Sequence, residues 1–221
     1  MCFSAEASFT SAGLLTALTY ACTTQVTSKR QYPLIGILIV LVFMQLIEGF
    51  EWLAFRNDFF PAFFIPLGAY YFFFVVSVVW PLIIPTSLFL IEKDPRRQKI
   101  LKGFVVAAVI IAIGAILLKI NGPSPTAEVV GRSIQYKFYL LDSYPYGDLI
   151  LTVLSTVMIL CPFLFSSEKA AWLFLLLTLI TAAVTIYFYF HVYTSVWCFF
   201  STVSTCAIFY HLYKVKQEIE R

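Results

Sequence analysis

The charges of this chain are spaced so that apolar stretches long enough to cross a bilayer lie between them. A helix needs about 20 predominantly apolar residues to span about 30 Å of hydrocarbon. The stretches that meet or approach this length are Ser4 to Thr24, Pro33 to Phe55, Pro66 to Leu90, Leu101 to Ile120, Asp148 to Phe165, Ala170 to Phe190 and Thr194 to Tyr213. Lipid offers backbone amides no hydrogen-bond partner, so each stretch is expected to be a helix. Only 12% of the residues are charged, against about a quarter in a soluble domain, which leaves too few to cover a watery surface. The expected fold is all-α: one polytopic transmembrane bundle over residues 1–221, of about seven spans, with an outer loop at 121–147. Membrane lipids are then its first partners, and oligomerisation is left open.

The net charge of +3 is too small and too dispersed for nucleic acid. Its distribution carries more information. Lys29 and Arg30 follow the first stretch. Lys93, Arg96, Arg97, Lys99 and Lys102 follow the third, Lys169 the fifth, and Lys214, Lys216 and Arg221 the seventh. The alternate loops hold only Arg56, Lys119, Arg132 and Lys137. Positive charge stays on the cytoplasmic side, so the N-terminus is expected outside and the C-terminus inside. If the weakly apolar first stretch lay on the surface, the other six would keep both ends inside. No basic segment precedes the first stretch, so no cleavable signal is expected.

Local features refine the picture. In the first stretch, small residues recur at spacing four, as Ser4, Ser8, Ala12 and as Gly13, Ala17, Ala21, and such rows let helices approach closely in lipid. Pro81 and Pro85 are expected to kink the third span. Phe59 to Pro66 is apolar but broken by Pro61. The outer loop opens with Asn-Gly-Pro-Ser-Pro and closes with Ser-Tyr-Pro-Tyr-Gly; between them Ile134 to Leu141 reads as a short strand or hairpin arm capping the bundle.

The sharpest chemical signal is Gln-Leu-Ile-Glu-Gly-Phe-Glu-Trp, residues 45–52. Gln45, Glu48 and either Glu51 or Trp52 recur at three or four residues, so they share one helix face. Ionisable groups inside a span are costly and face a cavity or a partner. No Lys or Arg lies well inside any span, so Glu48 must take a proton, a metal, His191, or a loop cation such as Lys119 or Arg132. The expected orientation brings Cys2, Glu6, Asp148, His191, Trp197 and Cys198 to similar depth. Gln45, Glu48, Glu51, Trp52 and Trp197 are the expected ligand-binding set. Imidazole, carboxylate and thiolate also bind zinc or a neighbouring transition metal, which makes Cys2, Glu48, His191 and Cys198 the candidate metal set. The sequence contains no HExxH, CxxC or HxxxH. Bland alternatives stand beside each reading: a solvated helix-end acid for Glu51, a protonated packing residue for Glu48, an interfacial imidazole for His191, and a disulfide or a buried thiol for Cys2. His211 lies about 30 Å from His191 even on one continuous helix and is read as an inner-interface residue. Cys206 is read as a small hydrophobe in mid-span.

The opening Met-Cys-Phe-Ser-Ala-Glu-Ala-Ser-Phe, with the acid-rich end of the second stretch, resembles an uncharacterised bacterial family of small polytopic membrane proteins. The resemblance covers the first quarter of the chain well and the rest mainly by hydropathy. It implies residence in a bacterial inner membrane, implies no known activity, and draws interest to Cys2, Ser4, Glu48 and Trp52. The layout also looks like intramembrane metal hydrolases related to alkaline ceramidases, but those carry a histidine pair on the last span where this chain has His211 alone. Rhodopsin-like chemistry lacks its mid-membrane lysine, since Lys214 falls at the span's end. Three functions follow as expectations: a transporter or sensor with an outer polar pocket for a metal ion, proton or small ligand; a metal- or cysteine-dependent enzyme acting on lipid; or an assembly subunit without a site.

Overall fold

Capping residues decide where the apolar stretches become helix. In the computed structural model, which describes residues 4–56, 60–139, 147–189, 196–197 and 202–221, Ser4 accepts a hydrogen bond from the Ala7 amide and starts α1 (Ala5–Thr23). Ser28 and Gln31 form a capping box around a 3-10 turn at Lys29–Gln31, which leads into α2 (Tyr32–Phe55) with Pro33 in its first turn. Asp94 accepts from the Arg96 and Arg97 amides at 2.7 and 3.2 Å and caps α5 (Pro95–Asn121), which therefore begins ahead of the expected Leu101.

The third stretch is not one regular helix. α3 (Phe64–Phe74) passes through a π-helical turn at Val75–Val79 into α4 (Trp80–Ile91). The widened turn places Pro81, which has no amide to donate, in the first turn of α4, where none is needed. Pro85 stays inside α4. After the loop come α6 (Gly147–Leu164), α7 (Lys169–Tyr189) and α8 (Cys206–Glu220). Four helical stretches are long and apolar enough to cross a membrane: Lys29–Phe55, Phe64–Ile91, Pro95–Asn121 and Lys169–Phe188. Among the described residues α1 and α8 do not meet that measure, and α6 offers the shorter apolar run Val153–Leu164.

α8 corrects two expectations. It continues past Tyr213 to Glu220. Thr205 separates it from the short helical piece before it, so Cys206 opens a new helix and is exposed rather than packed.

α1 lies closely along α2, with Phe9 against Gly49, where a Cβ would come within 2.7 Å of the ring. Of the two small-residue rows on α1, Ser8 and Ala12 are buried, while Gly13 and Ala17 face outward. The bidentate pair Glu6–Arg56 (2.9 and 3.4 Å) ties the start of α1 to the end of α2. At the other end, Lys216 of α8 donates to the Thr24 carbonyl at 3.1 Å, and Glu92, just past α4, reaches Ser167 ahead of α7. Leu38, Leu41, Met44, Phe72, Val75, Ile84 and Leu88 fill the core between α2 and the α3–α4 arm.

The outer loop contains an antiparallel hairpin, β1 (Thr126–Val130) and β2 (Ser133–Lys137). Val130 pairs with Ser133, so the turn is Gly131-Arg132, and Gly131 takes φ +63, which a side chain would resist. Ile134 and Tyr136 alternate on one face of β2 and are buried against the bundle. The root of the hairpin is held by Lys119, whose ammonium donates to the Pro123 and Phe138 carbonyls and lies 5.3 Å from the centre of the Phe73 ring.

Candidate functional site

The three- and four-residue spacing of α2 turns Gln45, Glu48 and Trp52 toward its neighbours, and Glu51 follows on the adjoining row. Gln45, Glu48 and Glu51 are each 0% exposed, and Trp52 is buried. Glu51 is therefore not a solvated helix-end acid. Its carboxyl lies in the space left by Gly68 of α3, where a Cβ would stand 2.0 Å from Glu51 Cδ and 2.1 Å from Oε1. Tyr136 of the hairpin donates its hydroxyl to Glu51 Oε2 at 2.5 Å. The Tyr136 ring stacks on Phe72 at 4.0 Å, which fixes the hydroxyl's direction. One carboxyl thus joins α2, α3 and the hairpin, and it feels the repulsion of Glu48 one turn below.

Much of this cluster's hydrogen-bonding capacity is unused. Among the described residues, both amide atoms of Gln45, Glu51 Oε1, Trp52 Nε1 and the Ser8 hydroxyl are buried without a hydrogen-bond partner. A buried polar atom left unsatisfied costs about 1–3 kcal/mol, so a group of them on two packed helices is a place for something to bind. The unfilled atoms comprise two oxygen acceptors on side chains that cannot donate there, one amide donor, one indole donor and a hydroxyl able to do either.

The remaining expected site residues are placed differently. Glu6 is exposed and engaged by Arg56. Trp197 is half-buried next to the buried Val196. Cys2, His191 and Cys198 lie outside the described residues. Among the described residues no group of three or more His, Cys, Asp or Glu is arranged to hold a metal ion. Lys119, one of the cations offered for Glu48, spends its ammonium on the hairpin root.

Three residues of the cluster escaped the sequence reading. Ser8 was read only as a packing residue. Gly68 stands alone in the apolar run Phe-Ile-Pro-Leu-Gly-Ala-Tyr-Tyr, and a lone glycine in a helical pattern is a sign of close approach. Tyr136 is signalled only by its alternation with Ile134.

A family model described as "Family of unknown function (DUF6629)" matches residues 1–220. No curated protein matches the chain, and no solved structure does.

Proposed function

Because the chain belongs to this family of unknown function, we propose its role from the buried cluster: it is an integral membrane protein that binds a cation, either a proton or a metal ion, through the acids and the amide at the end of α2. The carrying observation is Gln45, wholly buried with both ends of its amide unfilled, on the same helix face as Glu48. Oxygen donors from Gln45, Glu48, Glu51 and Ser8 suit a proton or a hard cation better than zinc. Zinc or a softer metal would call on Cys2, His191 and Cys198 as well. In this reading the chain has about seven spans in a bacterial inner membrane, its N-terminus faces outward, and the hairpin closes the site from outside. Tyr136 then acts as the latch, since its hydroxyl can leave Glu51 Oε2 only if the hairpin lifts. A transporter or a sensor would both use such a latch.

The test uses detergent-purified protein. Thermal unfolding is followed against pH and against sodium, magnesium, calcium and zinc, with bound metal counted by inductively coupled plasma mass spectrometry. Wild type is expected to gain stability with one of these cations or with protons. Glu48→Gln and Gln45→Leu are expected to fold and to lose that gain. A gain of equal size in both variants, or wild-type stability indifferent to all five, sinks the reading.

A further inference from the structure

The opposite end of the bundle carries a cleft of about 160 Å³ that shares nothing with the α2 cluster. Lys93, just past α4, Lys169, at the start of α7, and Lys214, on α8, all line it. These lysines come from three separate junctions, and the fold brings them to one opening. Among the described residues none of their ammonium groups is held in an ion pair. Tyr210 and His211 complete the wall. The first turn of α7 lies there too, with the positive end of a 21-residue helix.

Two carboxylates also line the cleft and bear on what it can hold. Glu168 is turned to His211, its Oε2 3.6 Å from Nδ1. Glu218 follows Lys214 by one helical turn and is exposed. A third acid, Glu92, is withdrawn from the cleft: its oxygens are consumed by the Lys93, Asp94 and Ser167 amides and the Ser167 hydroxyl, at 2.5–2.9 Å. Three ammonium groups against two carboxylates leave the cleft positive. Ala170 and His211 also line a small apolar pocket of about 30 Å³, walled by Ile84, Leu88, Phe163 and Phe174. The cleft is therefore charged at its mouth and apolar at its back.

We propose that this cleft binds a phosphate group through Lys93, Lys169 and Lys214. A phosphate offers several charged oxygens, one for each point charge converging from a different direction. Two sources share that chemistry. One is the headgroup of an anionic phospholipid, whose glycerol backbone would point toward the apolar pocket. The other is a free phosphate or phosphate ester from the aqueous side.

The experiment titrates delipidated, detergent-purified protein with short-chain phosphatidylglycerol, with short-chain phosphatidylcholine and with inorganic phosphate at constant ionic strength, reading native mass and melting temperature. The triple variant Lys93→Gln/Lys169→Gln/Lys214→Gln is set beside Arg96→Gln/Arg97→Gln/Lys99→Gln, which removes equal charge from the exposed start of α5. Lys169→Gln alone serves if the triple variant does not fold. Affinity is expected to fall about fivefold for each cleft lysine removed and to stay unchanged in the α5 variant. Binding of phosphatidylglycerol that inorganic phosphate does not displace supports the proposal with the lipid as source. Binding of inorganic phosphate that the cleft variants lose supports it with the free anion. Equal losses in the two triple variants would reduce the effect to general surface charge and overturn the proposal. So would a wild type that binds neither phosphatidylglycerol nor inorganic phosphate.

Discussion

Gly68 has no side chain because the Glu51 carboxyl occupies the space one would take. Alanine there must displace either the carboxyl or the helix carrying it. We expect Gly68→Ala to lower stability by about 1–3 kcal/mol, the usual cost of overfilling a packed site. Removing the obstacle should restore much of it, so Gly68→Ala/Glu51→Ala is expected to be more stable than the sum of the two single changes. Thermal unfolding in detergent measures the cycle, and strict additivity would mean that the two residues do not compete for one space. At this scale the sequence was informative along one helix and silent across helices. Gln45, Glu48 and Trp52 announce their shared face by spacing alone. Their neighbours Gly68 and Tyr136 come from α3 and the hairpin, and no local pattern records which distant residue will meet Glu51.

The link between α4 and α7 depends on Glu92. Burial pushes its carboxyl up, but the Ser167 hydroxyl and the Asp94, Ser167 and Lys93 amides outweigh burial and hold the group below its ordinary 4.5. A folded value below the unfolded one means that ionised Glu92 stabilises the fold above that ordinary value. The contribution disappears as pH falls through the folded value. Wild type should therefore melt well above Glu92→Gln at pH 7, and the gap should narrow once pH drops below about 4.5. A gap that stays constant down to acid denaturation would show that the carboxylate's charge is immaterial. The helices themselves were legible because charges and caps punctuate the sequence: Ser4, Pro33 and Asp94 each lie where a helix starts. The π-helical turn was not legible, since Val75 to Val79 reads as uninterrupted apolar sequence and only Pro81 hints that the path must change. Nor did the basic loops reveal the cleft. Lys93, Lys169 and Lys214 were read as orientation signals, and it is the packing of α4, α7 and α8 that makes them neighbours.

For the molecule as a whole, the charge pattern predicts a single orientation. Thr126 on the hairpin should be accessible from outside intact bacterial cells, and Ser28 from the cytoplasm only. In a background with the native cysteines replaced by serine, Thr126→Cys is expected to react with a membrane-impermeant maleimide in intact cells. Ser28→Cys should react only after permeabilisation. Labelling of Ser28→Cys in intact cells would invert the bundle and put the hairpin and Glu51 on the cytoplasmic side. The two ends already differ in kind: one is closed by a β-hairpin over acids, the other is open and basic.

The single wide turn at Val75–Val79 fixes how those two ends are phased. One residue advances a helix by about 100°, so a residue lost there would straighten the arm and rotate α4 by roughly that angle against α3. Gly68 and Phe72 could still meet Glu51 and Tyr136, but Ile84 and Leu88 would turn out of the core and carry Glu92 away from Ser167. This segment therefore behaves like a shaft keyed at both ends: changes of residue type can be absorbed along it, whereas a change of its length by one residue unlocks one end or the other.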